Sequence, residues 1–453
     1  MTKLRTTTVS ETAKLNTPAL GKSLEILSRF GGFELLENTI EGIQNLNPER
    51  KARRDLFLSE KSRTIERGNL KQLIRLWYQL ITDTSDVTEM ISYCEEKSTL
   101  AEISLEKNLQ LAVSGSRDLE RSYRNVAHFF NNTNQDKVKN VTFLNAGLEQ
   151  VKDLDNPQFI DTVSNELVKH YDRLDLKENY SLLIVSGYLG ANKVVERWAQ
   201  IANNNKVMLI TDYAHLDAPD DVMELFDESN LTGGEKYKSS VIMTCNWIMG
   251  RSRHMNIEEE DDLYVPPSGA LAGRIYHTLM SQVSAGKKFG ALVGVDCVRF
   301  ELKKSEVAVL DRLGLVPLVK EYGKVMAFSA KTLFNGDNLG LQTYSVVRVF
   351  DFVAKVLMDF LNRRAFENFN ANTRKELMGQ IVRFLDGISG PDKLIEDFNI
   401  QRFEQDPRQK DRVYLDIFLK PYFPAKNFLI KMDGQKGDNG NEWETHYEQE
   451  NKK

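Results

Sequence analysis

Cysteine is scarce: the 453 residues hold three, Cys94, Cys245 and Cys297, with no close pair among them. That spacing excludes a disulfide framework and a cysteine-based zinc module, and it fits a reducing, cytoplasmic compartment. Histidine is nearly as sparse. His128, His170, His215, His254, His277 and His446 fall singly, without the H-E-x-x-H spacing that sets two ligands on one helix face, so no metal or cofactor is expected. Positive charge is not concentrated either: 60 Lys and Arg stand against 65 Asp and Glu, a net charge of -5, and the basic footprint of a nucleic-acid partner is missing. No stretch approaches the roughly eighteen consecutive apolar residues of a membrane span, so direct membrane insertion is not expected. The Thr-rich N-terminus lacks the apolar run of a secretion signal. What the chain does have is length and 41% hydrophobic residues, enough for two or three cores of a soluble globular protein.

The order of its patterns predicts an α/β (α+β) fold, with a helical N-terminal region followed by mixed-sheet domains. Thr17-Pro18 opens a helix carrying Leu20, Leu24 and Leu27 on one face. Gly31-Gly32 interrupts it, and Phe33, Leu36, Ile40 and Ile43 continue at helical spacing. Residues 48–68 are dense in both charges and read as a solvated helix or linker. Leu70, Leu73, Ile74, Trp77, Leu80 and Ile81 mark a third amphipathic helix. Thr99 and Glu102 have capping-box spacing, and Leu119, Tyr123, Val126 and Phe130 mark the last helix of a region set at 1–130.

Strands then alternate with helices over 131–262: a brief strand at Val141, Phe143 and Leu144, a helix at 159–174, apolar strands at 182–185, 207–210 and 241–244, and a helix at 194–202 between the first two of these. The acidic run 258–262 reads as a solvated loop. A further core spans 263–433, with a strand-like run at 346–350 and a helix at 372–385 that puts Leu377, Ile381 and Leu385 on one face. The segment 352–361 is either a helix or a continuation of that strand-like run. The tail, 434–453, is too polar to bury a core and is expected to be disordered.

The most enzyme-like feature is the turn Gly187-Tyr188-Leu189-Gly190-Ala191-Asn192-Lys193 after a strand, with Asp212 closing the next strand. A nucleotide site would aim the turn's N–H groups at phosphate and use Lys193 and Asp212 on phosphate and metal. The adjacent Gly-Lys-Ser/Thr of a P-loop and the three-glycine dinucleotide fingerprint are both absent, so a structural turn is the favoured reading and a cytosolic nucleotide-binding enzyme the alternative. Ser284 and Lys287 share S-x-x-K spacing but lack the companion S-D-N and K-T-G elements. Arg363-Arg364 among Phe360, Phe366 and Phe369 reads as a helix with a buried apolar stripe. No catalytic residue emerges.

The end of the chain carries the clearest period. Val413, Leu415, Ile417 and Leu419 alternate with Tyr414, Asp416, Phe418 and Lys420, and Phe428, Ile430 and Met432 follow in a second strand. Pro421 and Pro424 in the connection disfavour a tight hairpin, so the two strands splay. With no strand expected after Met432, an open edge is left, and open edges are either blunted or used by another chain.

Several motifs, in order, resemble the large sheath subunit of the type VI secretion system, the TssC/VipB family, in a divergent branch such as that of Bacteroidetes. Leu119-Glu120 with Tyr123-Arg124 is similar to the family's Leu-Glu and Trp-Arg pairing. Pro266-Pro267-Ser268-Gly269 with Ala272-Gly273 is similar to its proline-rich turn and Ala-Gly step. Leu310 to Leu315 resembles its Leu-Asn-x-x-Gly-Ile segment, and Lys331-Thr332-Leu333 the end of its Trp-Gly-Ala-Arg-Thr-Leu motif. Arg348, Phe366-Glu367 with Asn370, Phe384-Leu385, and Pro424-Ala425 with Phe428 complete the pattern. Tyr123 stands for tryptophan, Phe328-Ser329 for Trp-Gly and Lys426 for glutamate.

The resemblance implies a structural, non-enzymatic subunit that assembles with a small sheath subunit (TssB/VipA-like) and further protomers into a helical tube around an inner Hcp-like tube, on a baseplate, and contracts to propel it. It implies intersubunit strands at Val413, Leu415, Ile417, Leu419, Phe428 and Ile430. It also implies a small-subunit and AAA+ unfoldase (ClpV-like) segment at Leu20, Leu24, Leu27, Phe33 and Leu36, and an inner-tube contact through Arg374, Lys375 and Arg383.

Overall fold

The computed structural model describes residues 59, 61–84, 86–133, 138, 140–426, 429–435 and 442–448, with side chains through 426. The expected N-terminal helices, including Leu20, Leu24, Leu27, Phe33 and Leu36, lie outside the described residues, as does Phe428. The chain falls into two compact units, residues 1–115 with 256–258, and residues 116–255 with 259–453.

In the first unit, α1 (Thr64–Asp83) buries Leu80 and half-buries Leu70, Leu73 and Trp77, while Ile74 and Ile81 stay exposed. The second helix, α2 (Val87–Asn132), runs 46 residues without proline and with Gly115 as its one glycine. It therefore passes straight through Thr99, where capping-box spacing predicts a start. Thr99 Oγ1 instead donates to Glu95 O at 2.9 Å, the back-bond a mid-helix threonine makes when no chain break frees it to cap.

The second unit is a three-layer sandwich. Its helices and strands run α3 (Gln158–Tyr171), β1 (Leu182–Tyr188), α4 (Asn192–Asn204), β2 (Met208–Asp212), α5 (Pro219–Ser229), β3 (Val241–Cys245), β4 (Ile248–Arg251), β5 (Leu263–Val265), α6 (Ser268–His277), α7 (Lys304–Leu313), β6 (Leu315–Glu321) and β7 (Lys324–Ala327). The sheet order is β1-β2-β3-β6-β7, parallel through β6 and closed by antiparallel β7, the mixed sheet expected from the alternating patterns. Successive residues of one strand point to opposite faces: Leu209, Val241, Met243 and Leu315 enter one core with Trp198 and Phe226, and Met208, Ile210, Ile242 and Val316 enter another with Leu271 and Phe129. Burial on both faces is why these strands read as unbroken apolar runs. Val141, Phe143 and Leu144 form no strand. They are exposed, and among the described residues no strand pairs with them.

The C-terminal part adds α8 (Tyr344–Arg363), α9 (Ala371–Ile388), β8 (Ile395–Gln405), β9 (Val413–Pro421), β10 (Leu429–Gln435) and β11 (Glu442–Glu448). The β-branched run at 346–350 is helical, not strand-like. Val346, Val349, Val353 and Leu357 recur at three and four residues, and burying that stripe outweighs local β preference. Asn370 caps α9, its side chain accepting from Asn372 N and Thr373 N at 3.0 and 2.9 Å.

The two terminal strands are not left without partners inside the chain. β8 pairs antiparallel with the whole of β9, and β11 pairs with β10 from Leu429↔Glu448 to Gln435↔Glu442. The expectation that no strand follows Met432 fails because Trp443, Thr445 and Tyr447 alternate within an otherwise acidic segment, a strand period that average polarity hides. β9 and β10 do not pair with each other, in keeping with the two prolines between them.

Candidate functional site

At the C-terminal ends of the parallel strands, where α/β folds usually hold ligands, the carboxylate of Asp212 is wholly buried. Its Oδ2 accepts from Gly187 N at 2.8 Å, and its Oδ1 from Thr244 Oγ1 at 2.6 Å and Ser268 N at 2.7 Å. Burial pushes its pKa up, against the pull of those donors. Gly187, with φ 96°, thus spends its N–H on a carboxylate, and Lys193 points to solvent. A phosphate on this turn would meet Asp212 rather than free N–H groups, so the turn is a clasp joining β1, β2, β3 and α6. Ser284 and Lys287 do not combine: Ser284 is buried against Arg274 O, and Lys287 is exposed over the Tyr322 ring. Among the described residues no His, Cys, Asp and Glu cluster could hold a metal.

Beside this clasp, α6 lies against the end of α2 through glycine. A Cβ on Gly269 would stand 2.6 Å from Asn125 O, and one on Gly273 2.2 Å from Phe129 O. The inward face of α2 here is polar. Asn125, His128 and Asn132 are buried with Phe129, while Leu119, Tyr123 and Val126 face outward. Asn132 works as a surrogate strand, donating to Val293 O at 3.2 Å and accepting from Val293 N at 2.8 Å.

Three arginines lock α2 to the loop after β4. Arg251 bridges Glu120 at 2.9 Å and Glu259 at 2.6 Å, Arg124 donates to Glu120 at 2.8 Å and to Gly250 O at 2.9 Å, and Arg117 pairs with Glu259. The hydrogen bond from Arg251 holds the Glu259 carboxyl down to about 2. The acidic run is therefore not a wholly solvated loop, because Glu259 is buried among cations and Asp262 accepts from Arg253 N. Arg363 and Arg364 likewise pair with acids, Asp359, Glu367 and Glu376.

The ribbon β8–β9 covers α8 and α9 with one face. Leu415, Ile417 and Leu419 join Val353, Leu377, Ile381, Leu385 and Phe403 in a third core, while Val413 and Phe418 are exposed. Among the described residues the outer edges of β8 and β9 pair with no other strand. Ile430 lies in β10, which is separate from this ribbon. Arg374, Lys375 and Arg383 are exposed on α9, and Arg383 Nε donates to Gly379 O at 3.1 Å.

Sequence comparison matches three family descriptions in tandem: TssC/VipB-like, N-terminal region, over residues 20–109; type VI secretion system TssC/VipB, central domain, over 111–335; and TssC/VipB-like, C-terminal domain, over 343–449. This chain belongs to the TssC/VipB family. It is a structural subunit of a contractile sheath. No curated protein matches it. Among solved structures it is similar to the anti-feeding prophage helical sheath in the contracted state, at 17% identity over 66% of this chain and 78% of that one, with a TM-score of 0.45. A second is the contracted sheath complex of an extracellular contractile injection system, at 15% identity over 57% and 71%, TM-score 0.43. A third is a chain of the anti-feeding prophage baseplate, at 16% identity over 54% of this chain and 65% of that chain's length, TM-score 0.42.

Two departures from the TssC/VipB pattern meet in space. Ser329 Oγ donates to Asp311 Oδ1 at 2.6 Å, and Lys426 Nζ bridges the same carboxylate at 3.0 Å. Asp311 itself stands where that pattern has asparagine, so the lysine in place of glutamate finds an opposite charge inside its own chain.

Proposed function

We propose that this sheath subunit is linked to its neighbours through the β8–β9 ribbon, whose free edge takes a strand donated by another polypeptide. The observation that carries this is a two-stranded sheet with one face packed on helices and no strand beyond either edge among the described residues. Main-chain hydrogen bonds would supply the joint, and the alternation of Leu415, Ile417 and Leu419 would fix its register. Ile430 and Phe428 belong to the following segment, which would extend the linkage. The donor is a small sheath subunit (TssB/VipA-like). A contact that repeats without closing builds a helical tube rather than a ring, and contraction is a rotation of packed subunits while these joints hold. Such a role requires no catalytic residue.

Other surfaces take the remaining partners. Exposed Leu100, Ile103 and Leu111 fall on one side of α2 and would be covered by the small subunit, together with the segment carrying Leu20, Leu24, Leu27, Phe33 and Leu36. That segment would also serve the AAA+ unfoldase, and deletion of residues 12–30 should abolish unfoldase-driven disassembly. Arg374, Lys375 and Arg383 would face an acidic inner Hcp-like tube, and a baseplate would seed assembly. Reversing Arg374 and Lys375 to Glu should prevent assembly around the inner tube.

The decisive experiment is electron microscopy of the chain co-expressed with a small sheath protein. Tubes should form with the wild type and fail with Phe418→Asp, whose exposed position leaves the monomer folded. Tubes from Phe418→Asp indistinguishable from wild type would reject the ribbon as the joint.

A further inference from the structure

At the opposite end of the parallel sheet from Asp212, before the starts of β1 and β2, lies a recess of about 330 Å³. One wall is a single face of α8, on which Arg348, Asp351, Phe352, Lys355, Val356 and Asp359 recur at three and four residues. The other wall is the segment leading into β1 with Lys206 and Met208.

Arg348 is the anomaly in it. The residue is 9% exposed, yet among the described residues its guanidinium makes no hydrogen bond and no ion pair, and only the Tyr344 hydroxyl acts on it electrostatically. An unpaired buried arginine is costly, and burial lowers its pKa to about 10. The cation stands beside two more. Lys355 Nζ donates to Tyr180 O at 2.8 Å, and burial drags its pKa down to about 8, a pull that Lys206 reinforces and Asp351 resists. Lys206 lies 3.9 Å from Asp351. Asp359 is occupied, accepting from Leu176 N at 3.0 Å and pairing with Arg363. The acceptor Asn179 Oδ1, also lining the recess, is buried without a partner. Met208, Met280, Phe352 and Val356 give the rest of the lining an apolar side.

We propose that this recess binds a small organic anion, its phosphate or carboxylate head on Arg348 with Lys206 and Lys355, and its short apolar body against Met208, Met280, Phe352 and Val356. A largely buried guanidinium that makes no internal hydrogen bond or ion pair offers a two-pronged donor set that matches either head group. The volume suits a small molecule. This site is independent of the strand joint and of any inner-tube contact.

The test is calorimetric titration of the purified full chain, in low-chloride buffer, with inorganic phosphate and separately with hexanoate. One-to-one binding of phosphate assigns a phosphate head, and binding of hexanoate alone a carboxylate head. Arg348→Met should lower the affinity about tenfold or more, since a charge-assisted contact is lost. In anion-free buffer Arg348→Met should melt no lower than wild type, because it removes an uncompensated buried charge, and the anion should raise the melting temperature of the wild type only. Lys206→Gln, at a half-buried position, tests the same site should Arg348→Met not fold, and should weaken binding several-fold. Failure of both anions to bind the wild type overturns the proposal, as does unchanged affinity in the variant that folds.

Discussion

The parallel sheet and the C-terminal ribbon use the same apolar residue types and finish them differently. Every residue of β2 and β3 is buried, with helices on both faces. In β9 only Leu419 is fully buried, and the strand shows its other face to solvent and one edge to no described partner. The sheet is completed by its own chain. The ribbon keeps hydrogen-bonding capacity in reserve, which is what an assembling subunit requires of a linking element. On the proposed linkage, folding and assembly would fall to different strands of one polypeptide.

The largest expected effect tests that division directly. Ile242→Asp places an uncompensated charge between two helical layers and should cost several kcal/mol, leaving no cooperative melting transition. Phe418→Asp, on the exposed side of the ribbon, should shift stability by less than about 0.5 kcal/mol in urea titration while tube formation is lost. A folded Ile242→Asp, or an unfolded Phe418→Asp, would erase the contrast.

Next in size is Arg251→Met. It strips a nearly buried carboxylate, Glu259, and a partly exposed one, Glu120, of their shared partner, and should cost about 2 kcal/mol in the same denaturant assay. Gly273→Ala follows, at about 1–3 kcal/mol, because its Cβ would meet backbone Phe129 O at 2.2 Å and must push α6 off α2.

The remaining effect is a pH dependence. Folding lowers the Glu259 carboxyl from 4.5 to about 2, so between those values the unfolded chain binds more protons. Its contribution is fully present above about 4.5 and is lost as pH falls through about 2. Glu259→Gln should therefore flatten the acid limb of a stability-against-pH curve and leave the neutral region parallel to wild type.

The sheet was legible because burial on both faces leaves an unmistakable mark: short apolar runs at β1, β2 and β3, each bounded by polar turns. The ribbon was half legible. The period of β9 is clear, whereas β8 interleaves Phe398 and Ile400 with Asp397, Asn399 and Gln401, and charges at Glu396, Arg402 and Glu404 mask it. The polarity of α2 misleads more deeply. Its apolar stripe, Leu119, Tyr123 and Val126, faces outward, and Asn125, His128 and Asn132 turn in, because Asn132 satisfies the backbone of Val293 and the glycines of α6 admit close approach. No periodicity in one helix reports what a distant loop will offer it. The small-residue spacing Gly269-x-x-x-Gly273 was the available signal of that contact. The cationic recess left no trace in the sequence, since its walls come from residues about 140 to 180 positions apart that only the sheet brings together.

The ribbon's role is best tested by amide hydrogen exchange across Val413–Pro421, measured on the free chain and on the chain assembled with a small sheath subunit. The amides of β9 not bonded to β8 should exchange quickly in the free chain and become strongly protected on assembly. Equal exchange at those amides in both states would contradict that role.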